Sequence, residues 1–526
     1  MEKMYDYVIV GSGFGGSVSA LRLAEKGYHV LVIEKGKWFN KPKDFPKTNW
    51  NLRKWLWVPS IGWKGLFNLS FFRHVTVVSG TGVGGGSLVY ANTLPIPKRP
   101  FFESGSWKGL QDWEKELKPF YEIAKKMLGA APHPYTGKSE KVLQELARQL
   151  GNSEGFNKTD VAVYFGKIGK EVKDPYFDGK GPSRTGCNLC GGCMLGCRYN
   201  AKNTLDKNYL YLAQQLGTEI QAEHIVTDVK PLDDSGSLGY EIFFKNTFSK
   251  WTKTTSVKTK GVIFAGGVLG TLSLLHKIKK DSLPLLSDRL GKSVRTNSES
   301  LIGVTSFDKS ADFSEGIAIG SMIQLDENRH IEPVKYPKGS GFWRIFMAPM
   351  VRGNTFFHRL GNMIKDWFYE PKRNLKALLI ADWAKSTQIL LFMESIESTL
   401  SMKRSFFGFL RTKVERGKSP TSYNPLAYST AKKVETIIDG KAMVMNTESL
   451  LGIPTTAHIL GGACMGKDDK DGVINHQNKV FNYENMLICD GSMISANIGV
   501  NPSLTITAIS ERAMSLIPNK EMKNEF

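Results

Sequence analysis

The run Gly11-Ser12-Gly13-Phe14-Gly15-Gly16 constrains this chain more than any other feature, because of what stands on either side of it. Residues 6–10 are a short apolar, β-branched stretch, residues 17–26 read as a helix ending at Gly27, and residues 29–33 are apolar again before Glu34. Strand, helix, strand in that order is a βαβ unit, which implies a parallel sheet. In such a unit the first glycine permits the tight turn, the second lets backbone approach a pyrophosphate, and the third lets helix and strand pack closely. The helix N-terminus offers amides and a positive dipole to the phosphates, and Glu34, 18 residues beyond Gly16, can accept from ribose hydroxyls. A glycine-rich turn without a ligand does not need the acid in register. Gly11, Gly13, Phe14, Gly15, Gly16 and Glu34 are therefore candidate cofactor contacts.

This fingerprint alone does not separate FAD from NAD. A second cluster, Ser79-Gly80-Thr81-Gly82-Val83-Gly84-Gly85-Gly86-Ser87, places five glycines in seven positions and follows the strand-like Val75-Thr76-Val77-Val78. Five glycines let main chain pass close to a flat ligand, which a nicotinamide enzyme does not need from a second loop. Gly80, Gly82, Gly84, Gly85, Gly86, Ser87 and the following Asn92 join the candidate list.

Near the C-terminus come His458-Ile459-Leu460-Gly461-Gly462, Cys489-Asp490-Gly491-Ser492 and Gly499-Val500-Asn501-Pro502-Ser503-Leu504-Thr505. Together with both glycine loops, these motifs make the chain resemble the glucose–methanol–choline flavoenzymes, and within them the sterol-oxidising branch. The resemblance implies FAD as cofactor and hydride transfer to it from a secondary alcohol, a 3β-hydroxysteroid becoming a 3-ketosteroid with oxygen as acceptor. It assigns His458 as the active-site histidine, Asn501 as its neighbour, Gly85, Gly86 and Ser87 to a flavin-covering loop, and Asp490 and Gly491 to the flavin's phosphate and ribityl region. Val226 falls in the cofactor site, and Pro502 to Thr505 at a helix start facing the pyrimidine ring. The residue types suit the chemistry. Alcohol oxidation needs the O–H proton accepted as hydride leaves carbon, and imidazole has the side-chain pKa nearest neutrality.

Two departures stand out. Isoleucine follows His458 where the family pattern has proline, and the segment matching the isomerisation region, Met347 to Thr355, holds no glutamate. Ketone formation without double-bond migration is the expectation, Glu394 and Glu397 being carboxylates nearby in sequence that face solvent on a strand.

Cys187, Cys190, Cys193 and Cys197 crowd into eleven positions with the spacing of a bacterial ferredoxin run, except that Arg198 replaces the usual proline. A [4Fe–4S] cluster, a zinc site and a glycine-rich loop of reduced thiols are the competing readings. A cluster would make the enzyme a dehydrogenase with a non-oxygen acceptor, or leave a non-catalytic flavin electron carrier at membranes. Six cysteines in 526 residues are too few for a disulfide framework.

The expected fold is α/β: a Rossmann-like FAD-binding domain over residues 1–45, 75–100, 200–298 and 455–526, interleaved with an α+β substrate lobe over 46–74, 101–199 and 299–454. Residues 201–216 read as a helix after the cysteines. The formal charge of +20 favours anionic partners. Two acid-free stretches, 46–102 and 333–365 apart from their margins, mix tryptophan and phenylalanine with lysine and arginine. That pattern suits a peripheral enzyme at a lipid surface better than nucleic acid, unless the tryptophans are simply core. Glu2 and the strand that follows it read as a cytoplasmic start without a signal peptide. No segment reaches about 18 uninterrupted apolar residues. The motifs do not specify an oligomeric state.

Overall fold

The computed structural model describes residues 4–249 and 253–521; Glu2 lies outside them. Strand β1 (Met4–Val10), helix α1 (Phe14–Glu25) and strand β2 (Val30–Ile33) form the βαβ unit. β1 pairs in parallel with β2 on one side and with the strand Thr255–Phe264 on the other, Tyr7 facing Val30 and Val10 facing Phe264. Glu219–Gln221 extends the parallel part beyond β2, Met486–Ile488 pairs with the far end of Thr255–Phe264, and Tyr240–Asn246 and His224–Pro231 add an antiparallel margin to this seven-stranded sheet. Val8, Ile9, Val32, Val262 and Ile263 are completely buried, as expected of parallel strands covered on both faces.

Helix α1 packs between the helices Tyr209–Gln215 and Ser503–Ser515. The last contact is pinned by a forked ion pair, Arg22 Nε and Nη2 donating at 2.7 and 2.9 Å to the two Glu511 oxygens, and by Lys520 Nζ at 2.6 Å from Asp6 Oδ2. The helix expected over 201–216 begins only at Tyr209. Tertiary partners claim the backbone before it: Arg184 donates to the Lys207 carbonyl at 2.5 Å and to Asn203 Oδ1 at 2.9 Å, and the Asn208 side chain caps Tyr209.

The second lobe is an antiparallel seven-stranded sheet in the order Met347–Pro349, Gly440–Met445, Ser300–Ser306, Thr387–Glu394, Arg329–Val334, Ser321–Gln324, Phe156–Lys158. Along Thr387–Glu394 the pleat sends Leu390 and Phe392 into a core with the helices Lys138–Gln149 and Pro425–Ile437. Ile389, Leu391 and Met393 point the other way, toward Trp55, Tyr336, Trp343 and Trp383. Trp55 and Trp57 are thus core residues, whereas Trp50 and Phe71 are exposed, so the aromatic-rich stretch divides between both readings.

A hairpin, Phe67–Phe71 with Thr76–Gly80, feeds directly into the second glycine loop. Thr455–Thr456 pairs in parallel with Thr76 and Val77, and so brings His458 beside that loop. Among the described residues no helix is long and apolar enough to cross a membrane.

Candidate active site

Between the two sheets lies a cavity of 710 Å³. One end is walled by Gly11, Gly13, Phe14, Gly15 and Glu34, with Val226, Asp490, Gly491 and Pro502 alongside. The other end is apolar, with Leu301, Val334, Trp343, Met347, Trp383 and Leu391. His458 and Asn501 line the same cavity, as do Gly80, Gly85 and Gly86.

The glycines make close approach possible. A Cβ on Gly15 would sit 1.7 Å from the Cys489 carbonyl oxygen, and one on Gly16 would sit 2.1 Å from the Gly11 oxygen. Gly85 (φ +52°) lies against Gly13, where a Cβ would come 2.6 Å from the Gly13 Cα, so the second glycine loop rests on the first. Glu34 Oε2 accepts from the Ser12 amide at 3.1 Å and the Ser12 hydroxyl at 2.8 Å, which fixes the turn. The Ser503–Ser515 helix starts at Pro502 without a side-chain cap, leaving its first amides free for an anionic or carbonyl ligand. Asp490 is held by Ser492 and by Thr271 Oγ1 at 2.5 Å, and burial raises its carboxyl above the usual range.

Other expected contacts stand back from the cavity wall. Ser87 Oγ donates to the Gly84 carbonyl at 2.7 Å and accepts from the Leu205 amide, which makes it a brace of the loop. Thr505 Oγ1 is 3.0 Å from the Tyr121 hydroxyl. Gly16, Gly82 and Gly84 serve the turns, and Asn92 (φ +60°) is buried beneath the wall with both amide atoms unpartnered.

The catalytic end holds a residue that sequence reading missed. Glu299, 3% exposed, brings Oε1 to 2.5 Å from His458 Nδ1, an ion-pair distance although bent from hydrogen-bond alignment. The same carboxylate accepts from Thr456 Oγ1 at 3.0 Å and from the Ala457 amide at 2.9 Å. Burial alone would depress the His458 imidazole; the charge of Glu299, aided by Glu332, outweighs it and holds the imidazole above its ordinary value. Glu448, buried on the other side of the same segment, takes the Thr455 amide at 3.1 Å, and burial pushes its carboxyl up to about 8. The Asn501 side-chain oxygen is buried without a partner, as expected of an atom reserved for a polar ligand.

The four cysteines of the loop are free thiols, and among the described residues no three His, Cys, Asp or Glu side chains come together to hold a metal ion. The backbone turns left-handed at Leu189, Gly191 and Gly196, and Cys187, Cys193 and Cys197 pack against Val161, Val163, Ala201 and Ile317. The Leu189 amide donates to Cys187 Sγ and the Ala201 amide to Cys197 Sγ, while burial raises the Cys187 and Cys193 thiols and pushes Cys190 up to about 11. Buried Lys202 ties the loop down through the Cys193 and Leu88 carbonyls, and its turn places Met194 on the cavity wall. Glu394 and Glu397 also stand apart from the cavity, bonded to Asn424 at 2.8 Å and paired with Arg295 at 3.3 Å.

Residues 382–510 match the GMC oxidoreductase family model and residues 9–38 a model of NAD(P)-binding Rossmann-like domains. A cholesterol oxidase of Acinetobacter baumannii is 43% identical across 99% of this chain and 96% of its own length. The chain belongs to the glucose–methanol–choline oxidoreductase family. It is therefore an FAD-dependent oxidoreductase acting on CH–OH groups. A cholesterol oxidase of Mycobacterium tuberculosis is 40% identical over 99% of this chain and 92% of its own, and a long-chain-alcohol oxidase of Arabidopsis thaliana is 24% identical over 98% and 68%. The fold is that of the pyridoxine 4-oxidase from Mesorbium loti, with a TM-score of 0.63 at 14% identity, covering 97% of this chain and 98% of that one.

Proposed function

We propose that this enzyme oxidises the secondary hydroxyl of a sterol to a ketone, with oxygen as the final acceptor. The observation that carries the reading is the cavity's lining: an apolar set including Leu301, Val334, Trp343 and Leu391, the polar pair His458 and Asn501, and the glycine wall all face one space. A rigid apolar alcohol fits against the apolar set, and full-length likeness to two cholesterol oxidases favours a sterol over a simple alcohol.

FAD supplies the hydride acceptor when bound, held by the glycine loops, Glu34, Val226 and the Asp490–Gly491 turn. His458 takes the hydroxyl proton on its free Nε2. Glu299 faces the opposite nitrogen, fixes the ring's orientation and balances the charge the imidazole acquires. Asn501 orients the substrate oxygen, and the apolar walls exclude water from the reacting carbon. With the proton taken by His458 and the hydride acceptor that bound FAD would supply, the substrate would leave as the ketone. The carboxylates on the cavity wall are Glu34, Glu299 and Asp490. Each is committed to another partner, so the product keeps its double bond in place.

Anaerobic addition of cholesterol to the holoenzyme is expected to bleach the oxidised flavin band, and admitting oxygen to restore it with formation of hydrogen peroxide. His458→Ala should slow the bleaching without releasing FAD. A flavin band unchanged by sterols but bleached by a linear long-chain alcohol would replace this substrate class. A conjugated enone product would overturn the assignment of ketone formation alone.

A further inference from the structure

Residues 296–299 join the strand Lys292–Arg295, which pairs with Leu460–Gly462 just after His458, to the strand Ser300–Ser306 of the second lobe. Three of these four residues, Thr296, Asn297 and Glu299, are buried. Ser298 stands between Asn297 and Glu299 in the left-handed region (φ +47°), and its amide donates to Thr296 Oγ1 at 3.2 Å. A residue with a Cβ is strained there, and keeps that conformation only where its surroundings over-determine it.

The over-determination comes from two side chains that reach the residues assigned above to the alcohol. Glu299 holds the His458 segment through the Thr456 hydroxyl, the Ala457 amide and the imidazole. Asn297, completely buried, donates from Nδ2 to the Val500 carbonyl at 2.8 Å. That carbonyl lies in the same planar peptide group as the Asn501 nitrogen, so fixing the one fixes the plane of the other. The Asn297 carbonyl accepts in turn from the Glu394 amide at 3.0 Å, which ties the residue to the strand Thr387–Glu394.

Asn501 needs such a hold. Its side-chain oxygen has no partner in the protein, so its aim depends on the backbone that carries it. On one side Pro502 disfavours helical backbone at Asn501. On the other, Gly499 (φ +65°) is a point about which the chain rotates at little cost. The bond from Asn297 falls between that glycine and Asn501.

We infer that Asn297 is the positioning residue of Asn501, and that Asn297-Ser298-Glu299 as one segment sets the separation of Asn501 from His458, so that a single hydroxyl meets both. The inference rests on the roles given to those two side chains under the proposed function, and not on which alcohol is the substrate.

A double-mutant cycle on the holoenzyme tests it, read as the limiting rate of anaerobic flavin reduction by detergent-dispersed cholesterol. Asn297→Ala should lower that rate about ten- to a hundredfold while FAD is retained and the sterol concentration giving half the limiting rate is unchanged. Placed on Asn501→Ala, the same change should slow reduction by no more than about twofold, where a merely structural defect would act in full. Asn297→Ser, which keeps a shorter donor, should fall between wild type and Asn297→Ala, and it carries the cycle if the alanine variant yields no holoenzyme. An Asn297→Ala rate equal to wild type, a loss undiminished on Asn501→Ala, or a weakened sterol affinity at an unchanged rate would each overturn the inference. A wild-type flavin that cholesterol leaves oxidised would instead sink the sterol reading, and the cycle is then read with a linear long-chain alcohol. Reduction by neither alcohol would remove the roles of His458 and Asn501, and the inference with them.

Discussion

In the proposed reaction His458 works through its neighbour. A charged partner in contact is worth about 1.5–3 kcal/mol, so Glu299→Gln should slow flavin reduction on the order of ten- to a hundredfold. The proton-accepting form of His458 is the neutral one, so the wild-type rate should rise with pH through a midpoint that Glu299 holds above the ordinary histidine value. Without that charge the midpoint should move to lower pH, a displacement visible in stopped-flow traces and not expected of a merely structural defect. Glu448 gives a stability effect of known sign. Its folded pKa of about 8 exceeds the unfolded value, so its contribution is fullest below about pH 4.5 and is lost as pH rises through 8. Glu448→Gln should melt higher than wild type at pH 9 and equally at pH 4. Neither acid was legible beforehand. Glu299 is one carboxylate before an apolar strand, and the antiparallel pairing of Lys292–Arg295 with Leu460–Gly462 brings its segment alongside His458. His458 and Asn501 were legible because they sit in short motifs with glycine and proline, whose spacing survives without knowledge of the fold.

Elements whose shape is set locally could be read directly. The first βαβ unit and its glycines are determined by neighbours in sequence, and Gly15→Ala shows how narrowly: its Cβ would overlap the Cys489 carbonyl, driving α1 from the strand Met486–Ile488. Overpacking of this kind costs about 1–3 kcal/mol, and here the expected result is a lower melting temperature with most of the FAD lost, read from the ratio of flavin to protein absorbance. The cysteine run carries a spacing but no direction, and the left-handed turns at Leu189, Gly191 and Gly196 that aim its thiols have no signature in that spacing. Cys187→Ser/Cys190→Ser should accordingly leave flavin reduction within about twofold of wild type, with neither iron nor zinc found in either protein, the loop's anchor being buried Lys202. The shortened helix before Gln215 has a tertiary origin too, since Arg184 takes the Lys207 carbonyl that a longer helix would have used.

At the scale of the molecule, the two sheets share one cavity, and a ligand that touches both couples their stabilities. FAD at a hundredfold excess over its dissociation constant should stabilise the fold by about 2.7 kcal/mol. Calorimetry should show one transition moving upward, where independent lobes would give one shifted and one fixed. The α/β class was legible from the order of elements, whereas the substrate lobe was legible only as a change of texture. Its strands come from distant segments, Phe156–Lys158 joining a sheet otherwise built from residues after 300, and pairings across such gaps leave no local signature.

The ion pair between Arg22 and Glu511 has a consequence for biosynthesis. The turn at residues 11–16 leaves the ribosome well before the helix that closes on α1, residues 503–515. At about 5–20 residues per second, roughly 25 to 100 s of translation separates them. Through that interval the nascent chain carries a phosphate cradle with one wall missing. A ribosome stalled before Ser503 should therefore hold a chain that retains FAD more weakly than the closed fold does.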